Sequence, residues 1–258
     1  MLRLSARLAG SESLLAAIVI VGLWTLIHTL GIFREDFFPS IPQIWKAAVR
    51  DSPQLLQAAG SSLTTALLGY LIGFVAAVPV GMAVGRFPWA ERWFSGTIDF
   101  FRAIPAVAIV PLALLVFADV FLVGLFVVAY ACFFITVINV AVGVRQVPAT
   151  LEAAVRTFGG GEAQVLWKVG IPSLLPFFLA SLRQNVAVAL VVIVVTDMIL
   201  ALSGLGLYIL QSQGRMQLGQ MYGAIVLISI IGYLGYRLLS YLERRLFPWW
   251  SPEEEMMT

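Results

Sequence analysis

The sequence predicts an all-α, polytopic membrane protein with six transmembrane helices, and three observations carry that prediction. Apolar side chains make up 60% of the 258 residues and charged ones 12%, with a mean hydropathy of +0.95. An ordinary soluble domain carries about 25% charged residues. Apolar runs of about 20 residues recur along the chain, each long enough as a helix to cross ~30 Å of hydrocarbon. The positive charges are also shared unequally between alternate connecting segments.

Taken in order, Arg3 and Arg7 precede an apolar run over 14–33 that lacks a small-residue cleavage site, so it reads as an uncleaved first span. Residues 34–58 mix Arg34, Glu35, Asp36, Lys46, Arg50 and Asp51 with Ile41, Ile44, Trp45, Ala48 and Val49 at helical spacing, the pattern of a short helix on the membrane surface. The second span covers 61–85, where Gly69, Gly73 and Gly81 predict close packing on a neighbouring helix. Arg86, Trp89, Arg92, Trp93 and Arg102 form a basic, aromatic interface segment. The third span, 98–117, contains Pro105 and Pro111. Proline inside a span frees a carbonyl that only protein or water can satisfy, so this helix is expected to face protein or a cavity.

The fourth span, 121–144, follows a short turn at Asp119; the fifth covers 174–202 and the sixth 222–242. Six spans put both termini on one side of a single domain, 1–258. If that side is cytoplasmic, inner segments hold twelve of the sixteen Lys and Arg residues and outer segments hold Arg34, Lys46, Arg50 and Arg215. The positive-inside bias therefore puts residues 147–172 in the cytoplasm.

That stretch, VPATLEAAVRTFGGGEAQVLWKVGIP, is a polar island in a chain otherwise close to continuous hydrocarbon. Pro148 suits a first helical position, and Leu151, Val155 and Phe158 recur on one helical face. Gly159, Gly160 and Gly161 end that helix, because glycine accepts the left-handed conformation without steric cost. A second helical pattern restarts at Glu162 with Val165, Leu166 and Val169 apolar, and Gly170 with Pro172 is expected to close it. Two short helices over 148–169 with an apolar ridge form a knuckle suited to a groove on another protein.

Several function classes are excluded. A net charge of +2 and no basic stripe with interleaved aromatics argue against nucleic acid. Cys132 is the one cysteine and His28 the one histidine, so neither a disulfide nor a histidine or cysteine metal site is expected, and no catalytic residues are assigned. No Gly-x-x-x-x-Gly-Lys-Ser/Thr occurs, so the chain holds no nucleotide cofactor of its own and its energy comes from a partner or an ion gradient.

Ionisable groups within spans are the remaining functional candidates. Asp197 has two readings: it lines the translocation path or closes a gate, or it pairs with Asn185, Thr196 or a backbone group nearby. Arg183 and Gln184 are expected to snorkel to the surface. Asn139 and Asn185 either hydrogen-bond between helices or touch substrate, and Ser203-Gly204-Leu205-Gly206 reads as a glycine turn.

The island also carries a family resemblance. Ala153-Ala154, Gly159, then nine residues to Val169 and Ile171-Pro172 resemble the EAA motif of the permease subunits of bacterial ABC importers. The family's glutamate position holds Ala153 here, and the acid stands one place earlier at Glu152. Phe38-Pro39-Ser40-Ile41-Pro42, Arg102-Ala103-Ile104-Pro105 with Pro111-Leu112, the 203–206 turn, and Leu242-Glu243-Arg244-Arg245 with Pro248-Trp249 are similar to the nitrate, sulfonate and taurine branch.

The resemblance implies a type I importer permease fold and a homodimer working with two ATPase subunits and an extracytoplasmic substrate-binding protein in a bacterial inner membrane. ATP and Mg would reside on the ATPase. Coupling to it would fall to Glu152, Ala153, Ala154, Phe158, Gly159, Val169, Ile171 and Pro172. The path or its gate would be drawn from Arg102, Pro105, Pro111, Asn139, Asn185, Asp197, Ser203, Gly204 and Gly206, with Tyr208, Gln211 and Gln213 facing the binding protein. The implied solute is a small organic or inorganic anion. An ion-coupled carrier without an ATPase is the alternative; it predicts paired intramembrane charges and repeated halves, which the sequence lacks.

Overall fold

The computed structural model describes residues 2–33 and 37–246. The readings at Arg34, Glu35 and Asp36 and at Pro248 and Trp249 lie outside those residues.

Helices account for the regular structure of the described residues. They are α1 (Leu2–Thr29), α2 (Ile41–Arg50), α3 (Ser52–Arg86), α4 (Pro88–Arg102), α5 (Val110–Val116), α6 (Val120–Arg145), α7 (Ala149–Thr157), α8 (Glu162–Val165), α9 (Ile171–Leu200), α10 (Leu205–Gly214) and α11 (Leu218–Leu246). Four helical stretches among the described residues are long and apolar enough to cross a membrane: Ser52–Arg86, Val120–Arg145, Ala163–Leu200 and Leu218–Glu243. They contain the second, fourth and sixth expected spans whole and the fifth but for its last two residues, 201 and 202. The first expected span is a helix through Thr29, of which Ile18–Thr29 is the apolar part.

The third expected span differs. Where one helix over 98–117 is predicted, α4 and a second piece, Ala106–Val116, meet at 86°. That second piece opens with a 3₁₀ turn at Ala106–Ile109. Pro105 lacks the N–H that would continue α4 and disfavours a helical conformation at the residue before it, so the break falls at 103–105. Pro111 sits in the first turn of α5, where its missing N–H costs nothing.

The chain forms two compact units, Met1–Leu56 with Tyr208–Val226, and Gln57–Leu207 with Leu227–Thr258. In the first, Trp24 stacks on Phe38 at 4.0 Å and meets Tyr222 edge-on at 5.4 Å. The lone histidine serves packing here: a ring N–H of His28 donates to the Phe38 carbonyl at 2.9 Å. Helix α2 occupies Ile41–Arg50 of the 34–58 segment in which a short helix is expected. Its Ala47 and Ala48 lie against Gly219 and Gly223 of α11.

In the second unit, Gly69, Gly73, Gly81 and Gly85 form a flat ridge on α3 that lets α6 approach closely. A Cβ at Gly81 would lie 2.7 Å from Val140 Cβ, and one at Gly73 would overlap the Ala129 carbonyl. This is the packing device of membrane helices, which lack a hydrophobic drive toward each other. Helix α9 lies on α6, joined by hydrogen bonds from Asn185 to Thr136 and from Ser181 to Thr136, both 2.9 Å. Away from these contacts Leu67, Leu71 and Val75 remain exposed, as a lipid-facing surface requires.

Candidate functional site

The knuckle forms as two short helices, with Pro148 as the N-cap of α7 rather than its first residue. Gly159 adopts φ +79, the left-handed conformation the sequence predicts there, and its N–H closes the helix on the Arg156 carbonyl at 2.9 Å. A side chain at Gly160 would strike Val155, so that glycine lets the turn fold back on α7. As a result the expected ridge is split: Val155 is half-buried, while Leu151 and Phe158 face outward. Phe158 is 92% exposed and Trp167 69%. Phe158 thus stands clear of its own chain on a turn held by glycines.

The second knuckle helix does not close at Gly170 and Pro172 as predicted. It runs into the span as the continuous stretch Ala163–Leu200, passing through a π turn at Leu166–Gly170. The wider turn absorbs the hydrogen bond that Pro172 cannot make. Val169 is buried within this turn, and Ile171 and Pro172 open α9. The knuckle is therefore continuous with the fifth span.

Glu152 turns toward its own chain. Its carboxylate accepts from Arg86, the last residue of α3, at 3.1 Å, and its side chain is only 21% exposed. Beside it Arg145 pairs with Glu91 at 3.0 Å. A cavity of about 490 Å³ lies between the knuckle and the ends of α3 and α6, lined by Met82, Arg86, Val144, Glu152 and Leu166 among others. The Arg86–Glu152 pair thus spans a gap as a strut.

At the opposite end of α9, Ala201 takes a left-handed conformation at φ 50 and the 203–206 turn folds back over the helix. Asp197 is 2% exposed. Ser62 of α3 donates to its Oδ2 at 2.5 Å, the Gly206 N–H donates to its carboxylate, and the Leu205 N–H donates to Ser62 Oγ at 2.8 Å. A Cβ at Gly204 would overlap the Asp197 carboxylate, and one at Gly206 would overlap the Val194 carbonyl. Both glycines are present because the backbone passes directly over the acid. Of its two readings, the structure gives Asp197 partners on its own chain, though neither Asn185 nor Thr196; the sequence singled out no role for Ser62. Ser203 lies outside this clip, exposed, 3.4 Å from Ser61.

The other candidates separate by burial. Asn185 is buried on Thr136 and Ser181, an interhelical group. Asn139 hydrogen-bonds Gln184 at 2.9 Å on the exposed side. Arg183, expected to snorkel, instead pairs at 3.0 Å with Glu243, because α11 brings a buried carboxylate to its depth. Arg102 and Pro105 border a second cavity of about 330 Å³ against α6 and α9. Tyr208 donates to Asp51 Oδ2 at 2.5 Å; burial first, then the hydrogen bond and charge of Asp51, push its hydroxyl pKa upward.

With this geometry established, comparison with known proteins is decisive. A family model described as the binding-protein-dependent transport system inner membrane component matches residues 56–248. The chain belongs to that family. The taurine transport system permease protein TauC of Escherichia coli strain K12 is 30% identical over 239 residues, 90% of this chain and 86% of TauC. The nitrate import permease protein NrtB of Synechococcus elongatus is 27% identical over 190 residues, 72% of this chain and 68% of NrtB. The methionine ABC transporter MetNI, solved in inward-facing conformations, superposes with a TM-score of 0.64 at 20% identity, covering 76% of this chain and 97% of that one.

The permease is thus the membrane-spanning subunit of an ATP-driven ABC importer and is no enzyme itself. Its partners are an ATPase, which hydrolyses the ATP, and a substrate-binding protein. No comparison lends support to the ion-coupled carrier.

Proposed function

We propose that two copies of this permease form the path of an inner-membrane importer for a small organic or inorganic anion, with both termini and the knuckle in the cytoplasm. Two ATPase subunits, carrying ATP and Mg, each receive one knuckle. Phe158 is the observation that carries this reading: it stands 92% exposed on a glycine turn at the tip of a polar island, with Ala153, Ala154 and Gly159 on the same outward side. ATP-driven closure of the ATPases moves the knuckle. Its continuity with α9 through the π turn, and the Arg86–Glu152 strut to α3, pass that motion to both spans. Val169, Ile171 and Pro172 form the joint.

The names of TauC and NrtB, taurine and nitrate, support an anion as solute. Alternating access opens the path bordered by the broken α4–α5 pair, while Tyr208, Gln211 and Gln213, beyond the 203–206 turn, face the binding protein. The test is ATP hydrolysis by the permease coexpressed with its ATPase in nanodiscs, wild type against Gly159→Asp. Loss of assembly or of stimulated hydrolysis in a folded variant is the expected result. Normal coupling by the variant would remove the knuckle from this role.

A further inference from the structure

The second cavity lies at an unexpected depth. Its walls include Tyr130, Phe134 and Ile138 of α6 and Val188 and Val192 of α9. All five fall in the central half of their helices, α6 being 26 residues long and α9 30. At 1.5 Å of rise per residue, they lie more than about 9 Å from either helix end. The sequence reading places Arg102 at the inner interface. Beside the 86° break between α4 and α5, it lies on the wall of this cavity, level with the middle of α6 and α9. An arginine at such depth is costly unless it meets water or a counter-charge, and such residues mark solute pathways.

The Arg102–Asp99 pair is half-exposed and leaves room for a second acceptor. Arg102 Nε donates to Asp99 Oδ1 at 2.8 Å, leaving the other N–H donors of the guanidinium for a further oxygen. The neighbouring Phe101 carbonyl accepts from the Tyr130 hydroxyl at 2.5 Å, so the backbone beside Arg102 is tied to the centre of α6. About 330 Å³ is room for a small solute. The rest of the wall is largely apolar, which strengthens any charge-assisted hydrogen bond made there.

We infer that Arg102 is the charge-selecting residue of the path: its guanidinium receives the sulfonate, nitrate or carboxylate oxygens of the passing anion, with Asp99 holding it between transport events. This rests on the anion reading of the preceding section. Asp99 keeps the empty site neutral, so the arginine need not be stabilised by solute.

The experiment uses the complete importer, permease with ATPase and binding protein, in proteoliposomes, and measures ATP-dependent uptake of taurine, ethanesulfonate and nitrate. Arg102→Gln is expected to lower uptake of the carried anion at least tenfold with assembly and basal ATP hydrolysis retained. Arg102→Lys stays within about threefold of wild type, and Asp99→Asn loses less uptake than Arg102→Gln. The double variant Arg102→Gln/Asp99→Asn, which leaves no unpaired carboxylate, remains defective. Uptake restored in the double variant, or equal losses in Asp99→Asn and Arg102→Gln, would make the pair a structural tie and overturn the inference. Uptake by Arg102→Gln within twofold of wild type would overturn it with the anion reading intact. A wild-type complex that carries none of the three anions but takes up a neutral or cationic solute overturns the anion reading itself, and this inference with it.

Discussion

The two ends of α9 answer the same composition in opposite ways. Each carries an acid and a pair or trio of glycines beside a reversal of the chain: Glu152 with Gly159, Gly160 and Gly161 at the knuckle, Asp197 with Gly204 and Gly206 at the other end. At the knuckle, added Cβ atoms on Gly159 and Gly161 would meet nothing within 4 Å. At the clip, the same atoms on Gly204 and Gly206 would collide with Asp197 or with the Val194 carbonyl. Gly159 and Gly161 leave space, whereas Gly160, Gly204 and Gly206 let the backbone press close. In the proposed function the surface left open around Phe158 is covered by another chain, whereas the turn at Gly204 and Gly206 is packed on a buried acid of its own chain.

The sharpest break of this contrast is a methyl group at Gly206. Its collision is with backbone, which cannot rotate away, so Gly206→Ala is expected to destabilise the permease by about 3 kcal/mol or more. Asp197→Ala comes next, at roughly 2 to 3 kcal/mol, since it strands the Gly206 amide and the Ser62 hydroxyl in a buried site. Thermal unfolding of the purified permease in detergent reads both. A Gly206→Ala protein that melts with the wild type would mean that the clip is loose.

At the knuckle the ranking inverts between stability and assembly. Phe158→Ala should leave the melting temperature in place, because the ring packs on little of its own chain. ATPase binding should weaken by about 2 kcal/mol, as for a buried aromatic anchor at an interface. Pull-down of the ATPase beside the melting curve separates the two. Unchanged binding would leave Phe158 an ordinary exposed side chain and the knuckle without its anchor.

The glycines of the knuckle can be compared with each other. Gly159 is at φ +79 and Gly161 is not in the left-handed region, while neither has a neighbour for a Cβ to strike. Gly159→Ala should cost about 1 to 2 kcal/mol, purely from the conformation forced on an L residue. Gly161→Ala should fall within about 0.5 kcal/mol of wild type. Equal effects in a paired melting series would show that the turn relaxes to another conformation.

What could be read beforehand follows from how local each feature is. Gly159 ends α7 in the predicted conformation because a helix stop is decided by the residues within one turn. The ridge of Gly69, Gly73 and Gly81 announced close packing because its spacing of four and eight is itself the geometry. The bond between Ser62 and Asp197 joins residues 135 apart, and no periodicity near either one points to the other. Arg183 with Glu243 is hidden in the same way. The continuation of α8 into α9 was missed for a different reason: Pro172 is a strong local stop, and the π turn that defeats it has no sequence mark of its own. Arg102 belongs to a third group, where the residue was singled out but its place on the wall of the second cavity depended on the 86° break.

The smallest effect tests where Glu152 belongs. Its pair with Arg86 is part-exposed, 45% on the arginine side and 21% on the glutamate, so solvent screens it and its removal should cost at most about 1 kcal/mol. Glu152→Gln should therefore hardly move the melting curve, yet it severs the strut that ties the knuckle to α3. If Glu152 serves its own chain, Glu152→Gln and Arg86→Gln lower ATP-coupled transport to the same degree, and the double variant is no worse than either. The exchange Arg86→Glu/Glu152→Arg then restores part of the coupling. If the carboxylate instead meets a cation on the ATPase, Glu152→Gln weakens binding of that subunit while Arg86→Gln does not. The exchange then makes matters worse, because it sets an arginine against that cation. Measuring hydrolysis and ATPase capture on the same four proteins separates an internal strut from an intersubunit contact.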